Sequence, residues 1–304
     1  MKSIQKEYLM AVFAIFCWGT NAPVSKVLLT KLTNMEVLCY SSTIAAIVLL
    51  TAIFISGQWR QFRQYRLKDI GQLALLGSVG FFLYTALYQY GLTVLPAQTA
   101  CILNYLWPLM TVLFSIPILK EKLSFSKLLA LFLSFLGVVI IVFQPGASSG
   151  SGLNLSGCLS CILAAACYGC FCALNKKRGG SQMINMFIYI GTSAVLALCA
   201  GLTEGALPEM AVGMHLPTAA QLPGLLWHGI FITAVAYLLW AMALQGGNTA
   251  TISNFAFATP AISLFLSALF LKEPVYVTSV IGLIFILGGF FLQMFLERKH
   301  TAGA

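Results

Sequence analysis

Ten apolar stretches of roughly twenty residues succeed one another along the chain, and charged residues are almost confined to the gaps between them. That length is what an α-helix needs to cross the hydrocarbon core of a bilayer. The stretches cover about 8–28, 35–56, 70–90, 97–117, 125–143, 155–174, 184–203, 222–244, 249–270 and 276–296. In lipid a backbone must satisfy its own hydrogen bonds, which leaves helices or a closed β-barrel. The short alternating strands of a barrel are absent. Only 8% of the 304 residues are charged, against roughly 25% in a soluble domain. The expectation is therefore an all-α integral membrane protein with ten transmembrane helices. Trp18, Asn21 and Pro23 interrupt the first stretch and no small-residue cleavage site follows it, so it reads as a retained helix and not a signal peptide.

A net charge of +9 raises the question of nucleic acid, and the placement of the seventeen Lys and Arg answers it. With the N-terminus cytoplasmic, Lys2, Lys6, Arg60, Arg63, Arg66, Lys68, Lys120, Lys122, Lys127, Lys176, Lys177, Arg178, Arg298 and Lys299 all fall on one side. Lys26, Lys31 and Lys272 fall on the other. Basic residues accumulate on the cytoplasmic face of membrane proteins, so both termini are expected there. The charge is an orientation device facing the lipid bilayer, and no nucleic-acid partner is implied.

The chain also repeats itself. Pro108 and Glu121 recur as Pro260 and Glu273 at an offset of 152, and at the same offset Tyr88 meets Trp240, Thr99 meets Thr251, Lys120 meets Lys272 and Gly137 meets Gly289. Nearer the head of each half the offset is 150, aligning Cys17, Trp18, Gly19 and Lys26 with Cys167, Tyr168, Gly169 and Lys176. Each half thus holds five helices, and an odd number inserts the second half upside down. The expected organisation is a first five-helix repeat over 1–145, a Gly- and Ser-rich connection over 146–154 and a second, inverted repeat over 155–304. Inverted repeats of this kind place a substrate site near the midplane and expose it alternately to the two sides.

Polar and aromatic side chains inside spans normally face the interior of the bundle. On the first span Trp18, Asn21, Ala22 and Ser25 share a face; on the third, Tyr84, Thr85, Tyr88 and Gln89; on the fourth, Asn104, Trp107 and Thr111 at i, i+3 and i+7. Thr233, Tyr237 and Trp240 follow on the eighth, with Ser253 and Asn254 on the ninth. An aromatic cavity with a few hydroxyl and amide groups suits a small molecule with a flat apolar body and a polar end. The competing reading is structural, because Tyr and Trp gather at headgroup level and Asn, Thr and Ser bind helices to one another. Pro108 and Pro260, being symmetric, are candidate hinges. Lys26 and Lys176 are candidates for a substrate carboxylate or for snorkelling to the headgroups. His228, at the start of the eighth span, reads as an interfacial residue.

The doubled pattern of alanines and a proline ending in Glu121 and again in Glu273, with Trp18-Gly19 in the first span, resembles the EamA family of the drug/metabolite transporter superfamily over nearly the whole chain. Asn104-Tyr105-Leu106-Trp107-Pro108, Tyr168 with Asn175 and Lys176, and Ala236, Tyr237, Trp240, Gly247, Asn248 and Thr249 resemble its aromatic amino acid exporter branch. The resemblance implies a basket of helices around a central cavity, outward transport, and a substrate path lined by Tyr84, Tyr88, Tyr105, Trp107 and Tyr168. A multi-pass protein of a bacterial inner membrane, exporting aromatic or bulky neutral amino acids, is the resulting expectation. The same fold carrying a nucleoside, another amino acid or a toxic organic compound stays open, as does a receptor without flux.

The eight acids, Glu7, Glu36, Asp69, Glu121, Glu204, Glu209, Glu273 and Glu297, lie near helix ends or in loops. The mid-membrane carboxylate by which many cation exporters admit a proton is therefore missing. Beside Lys120 and Lys272, Glu121 and Glu273 read as helix-end ion pairs. The nine cysteines, Cys158 with Cys161 and Cys167 with Cys170 among them, sit in apolar surroundings without neighbouring His. They read as small packing residues, with no metal or other cofactor implied. No phosphate loop, metalloprotease helix or paired intramembrane aspartate points to an enzyme.

Overall fold

The computed structural model describes residues 2–120, 129, 132–133, 135–137, 139–140, 154–204, 214–246, 256 and 258–302. In chain order the helices are α1 (Lys2–Gly19), α2 (Asn21–Leu28), α3 (Asn34–Ile55), α4 (Leu67–Gly77), α5 (Tyr84–Val94), α6 (Ala97–Asn104) and α7 (Trp107–Leu119). They continue as α8 (Leu155–Asn175), α9 (Gln182–Glu204), α10 (Leu222–Leu226), α11 (Ala236–Gly246), α12 (Ala258–Leu271) and α13 (Val277–Ala302). π-Helical segments, Ser78–Leu83 and Trp227–Val235, join α4 to α5 and α10 to α11.

Among the described residues seven helical runs are long and apolar enough to cross a membrane: Lys6–Leu28, Asn34–Ile55, Leu67–Val94, Ala97–Leu119, Leu155–Asn175, Gln182–Thr203 and Leu222–Trp240. Two shorter apolar helices follow, Ala258–Leu271 and Val277–Gly289. The 22 residues of α3 span about 33 Å at 1.5 Å each, the thickness of a hydrocarbon core. Most of the fifth apolar stretch, 125–143, and the beginning of the ninth lie outside the described residues.

Helix ends follow from local chemistry. Thr33 and Glu36 form a capping box at the start of α3: the Thr33 hydroxyl accepts from the Glu36 amide at 3.2 Å, and the Thr33 amide donates to Glu36 Oε2 at 2.7 Å. Asn154 accepts the Gly157 amide at 3.1 Å to begin α8. The first apolar stretch is not one straight helix. It breaks at Thr20, because Pro23 has no amide to offer the carbonyl of Gly19 and the Thr20 hydroxyl instead donates to Cys17 O at 2.6 Å. The fourth stretch breaks similarly at Tyr105 and Leu106, between α6 and α7.

The two halves of the chain interleave. α3 packs along α9, α7 and α5 along α8, and α1 along α11 and α12. Several local features recur at the sequence offset of the repeat. Lys120 and Lys272 both adopt left-handed backbone angles, φ 57° and 54°, and follow the last residues of α7 and α12. The π-helical segments fall in corresponding spans. Gly19 lies against Ile262 of α12, while Gly169 lies against Met110 and Thr111 of α7. In each case the absence of a side chain lets the helices approach closely.

Candidate functional site

Where α1, α2, α5, α6, α7, α8, α9, α11 and α12 converge, they enclose a cavity of about 650 Å³. All the candidate substrate residues read from the sequence line it except one: Trp18, Asn21, Tyr84, Tyr88, Asn104, Tyr105, Trp107, Tyr168, Tyr237 and Trp240. The exception, Asn254, lies outside the described residues, as do Ser253, Glu121 and Glu209. The cavity reaches the surface beside exposed Lys176, where α8 hands over to α9, and Asn175, Gln182 and Met186 line that end.

The wall is built from aromatic side chains in mutual contact. Trp18 meets Tyr237 edge-on at 5.1 Å and Trp240 at 5.3 Å between ring centroids. Tyr168, edge-on to Tyr237 at 6.4 Å, lies 4.9 Å from Tyr84 and presents its ring edge-on to Trp107 at 5.2 Å. Tyr84 stacks in parallel on Tyr88 at 6.3 Å. Rings held this way keep their faces and edges fixed and offer a rigid apolar slot.

Polar groups are few and specifically disposed. Asn104 Nδ2 donates to the Tyr84 hydroxyl at 3.1 Å, and the Tyr105 hydroxyl donates to the carbonyl of Ala256. Three buried atoms of the lining have no partner: the indole N–H of Trp18, the amide oxygen Oδ1 of Asn104 and the hydroxyl of Thr259. The first is a donor only, the second an acceptor only, and the hydroxyl can serve as either. A buried polar atom without a partner costs about 1–3 kcal/mol, so the three together favour a guest bearing a donor and an acceptor. Lys176 is the charged side chain in the described lining.

The candidate hinges occupy equivalent places, Pro108 in the first turn of α7 and Pro260 in that of α12. In a first turn proline begins a helix without sacrificing an internal hydrogen bond. Pro108 itself lines the cavity, one residue after Trp107.

Beyond Tyr84, Tyr88, Tyr237 and Asn21, which border both spaces, lies a small chamber of about 30 Å³. Ser25, Ser41, Ser42, Thr85, Gln89, Ser193, His228 and Thr233 contribute its polar groups. His228 is 4% exposed, which corrects its reading as an interfacial residue: the π-helical turn rotates it inward, and Gly229 lies against Ile44 and Ser41 of α3. On the same side of the cavity, Lys26 neither faces a substrate nor snorkels. Its Nζ donates to Leu92 O at 2.6 Å and to Leu95 O, capping the end of α5. Glu273 accepts from the amides of Ala97 at 2.8 Å and Gln98 at 3.3 Å, capping the start of α6. Its oxygens thus serve backbone amides where the sequence suggested an ion pair with Lys272, because a helix N-terminus offers unpaired donors.

Phe171, Cys172 and Asn175 line the cavity although the sequence reading passed over them as a face. They follow Tyr168 at i+3, i+4 and i+7, and that spacing was the available signal. All nine cysteines are unpaired. Among the described residues no group of three or more His, Cys, Asp or Glu is placed to hold a metal ion.

Comparison with known proteins gives a consistent picture. A family model described as the EamA-like transporter family matches residues 5–143 and again 155–295. An uncharacterized transporter of Clostridium kluyveri is 27% identical, with 97% of this chain and 95% of that protein covered. The uncharacterized transporter YdfC of Bacillus subtilis is 31% identical over 78% of this chain and 76% of its own. A protein of Streptantibioticus cattleyicolor called a probable terminal-alkyne amino-acid exporter is 21% identical, with 89% and 87% covered. A solved crystal structure shares the fold with a TM-score of 0.66 at 20% identity, over 97% of this chain and 98% of that one.

Proposed function

Because this chain belongs to the EamA-like transporter family, we propose that it exports aromatic or bulky neutral amino acids by alternating access through the aromatic cavity. It is a multi-pass membrane transporter and not an enzyme, as its relatives are. The observation that carries the cargo reading is the pairing of an aromatic slot with the unpartnered Trp18 N–H and Asn104 Oδ1. An amino acid zwitterion brings what each lacks, a carboxylate for the indole and an ammonium for the amide oxygen, while its ring fills the slot between Trp107, Tyr168 and Trp240. The amino-acid cargo in the name of the Streptantibioticus protein adds support.

In this reading ten helices form two inverted five-helix repeats, 1–145 and 155–304, joined by 146–154. The recurring left-handed lysines and reciprocal glycine contacts support it. Both termini face the cytoplasm of a bacterial inner membrane, as the distribution of Lys and Arg argues. The cavity mouth beside Lys176 is then cytoplasmic, and the side closed by Lys26 and Glu273 is external. Pro108 and Pro260 act as hinges where α7 and α12 begin.

Expression of the protein in bacteria challenged with para-fluorophenylalanine tests the cargo. Raised tolerance that the Trp107→Ala variant lacks is the expected result. Unchanged tolerance, with the protein in the membrane at normal level, would rule out aromatic amino acids.

A further inference from the structure

The small chamber holds groups that the cargo reading leaves unused. Gln89 is 1% exposed and neither its amide oxygen nor its amide nitrogen has a partner. The Ser193 hydroxyl, 1% exposed, has none either. Beside them His228 Nε2 lies 3.1 Å from Ser25 Oγ and Nδ1 lies 3.3 Å from Thr233 Oγ1. Ser25 Oγ in turn donates to Asn21 Oδ1 at 3.0 Å. The donors fix the order: with its proton committed to Asn21, Ser25 accepts from Nε2–H, so Nδ1 is left to accept from Thr233. Asn21 lines both the chamber and the aromatic cavity. A continuous hydrogen-bonded chain therefore runs from a buried imidazole to the substrate site.

An ionisable side chain buried among membrane helices is costly to keep and usually marks an ion or proton path. The other titratable residues of the chamber lining are Tyr84, Tyr88 and Tyr237. On helices packed against the segment carrying His228 lie Cys17 of α1, Lys26 of α2, and Glu36, Cys39 and Tyr40 of α3. Lys26 is held by the carbonyls of Leu92 and Leu95, and Glu36 by the amides of Thr33 and His215. His228 is the member of this set whose side chain, free in water, changes charge in the physiological range, and it has no partner of opposite charge to leave. A space of about 30 Å³ admits a single water molecule.

We propose that His228 carries a proton inward as substrate moves outward, linked to the substrate cavity by Ser25 and Asn21. The proposal rests on the transporter reading and its orientation, not on the identity of the cargo. With the external side open, a proton from the outer medium binds the Nδ1 lone pair and Thr233 turns its hydroxyl from donor to acceptor. With the cytoplasmic side open the ring gives the Nδ1 proton to water on the cavity side, keeps Nε2–H and is neutral again with its Nδ1 lone pair restored. An N–H bond is made and broken, and one proton moves inward per cycle.

Two measurements decide it. The first needs no cargo: the imidazole carbon resonances of histidine-labelled protein in nanodiscs are followed from about pH 5 to 8, the window in which imidazole changes charge. The His228 signal is assigned by elimination against His215→Gln and His300→Gln. A His228 resonance that titrates within the window is expected; one that does not move overturns the proposal. The second uses proteoliposomes holding labelled phenylalanine, with and without an acidic outside. One-for-one exchange predicts about a tenfold change in the substrate ratio for one pH unit, lost in His228→Gln. A pH effect that survives in His228→Gln, or wild type that exchanges phenylalanine without one, overturns it. If phenylalanine is not carried at all, the cargo reading fails by itself and the resonance titration decides the proposal, as it does for a His228→Gln protein that no longer exchanges.

Discussion

Gly169 offers a sharp test of how the cavity wall is built. A Cβ at this position would sit 2.5 Å from Met110 Cβ, 2.7 Å from the Met110 carbonyl carbon and 2.7 Å from the Thr111 amide nitrogen. Carbon contacts are comfortable at about 3.5–4.0 Å, so Gly169→Ala must push α7 away by about 1 Å. Two of the three obstructing atoms are backbone, which no rotamer change relieves. Overpacking of this kind costs about 1–3 kcal/mol, and the better helix propensity of alanine returns up to about 1 kcal/mol of it. Gly71 and Gly191, also helical, have nothing within 4 Å of such a Cβ, so Gly71→Ala and Gly191→Ala are controls for propensity alone. The assay is the apparent melting temperature of each purified variant in one detergent. A net loss near 1–2 kcal/mol corresponds to a fall of about 2–8 °C for Gly169→Ala, against no fall for the controls. The same shift moves Trp107, one turn before Met110, and weakens the slot. Equal melting temperatures for Gly169→Ala and Gly191→Ala would refute the close-approach argument.

Further consequences follow from the contacts at the closed side and in the cavity. Glu273→Gln removes a charged cap from the amides of Ala97 and Gln98; a stability loss of about 1–2 kcal/mol is expected, read as a lower melting temperature, and none if the cap is idle. Lys26→Met frees the carbonyls of Leu92 and Leu95, so hydrogen exchange of amides over residues 92–98 should quicken, and unchanged exchange would argue against a clamp. Tyr84→Phe deprives Asn104 Nδ2 of its partner; phenylalanine affinity should fall about tenfold for a loss near 1.4 kcal/mol, whereas unchanged affinity would remove Asn104 from the site. Cys172 lines the cavity, so phenylalanine should slow its alkylation by a maleimide, while exposed Cys199 reacts at the same rate with or without it.

Much of the site was legible in sequence because the bilayer simplifies the rules. Aromatic and amide side chains spaced three and four apart on a span have few places to go other than the interior, and Trp18, Asn21, Tyr84, Tyr88, Asn104 and Trp107 share one cavity for that reason. The repeat was legible because matched pairs such as Lys120 and Lys272 keep their spacing. Helix breaks were harder. Pro23 signals the break at Thr20, whereas the Tyr105–Leu106 junction was marked only by Pro108 as a candidate hinge and not as the end of a helix. The π-helical turns were invisible to a 3.6-residue period, and they carry His228 from its expected place at the interface into the chamber. Lys26 and Glu273 were misjudged for a related reason. Their partners are backbone groups of α5 and α6, far away in sequence, and no side-chain pattern records an unpaired carbonyl or amide.

Counterflow in proteoliposomes is the most direct test of the central claim that this cavity carries aromatic amino acids. Vesicles preloaded with unlabelled phenylalanine should accumulate labelled phenylalanine well above empty vesicles, and Trp107→Ala protein of normal stability should not. No accumulation by folded wild-type protein with phenylalanine, tyrosine or tryptophan, or full accumulation by Trp107→Ala, would contradict it.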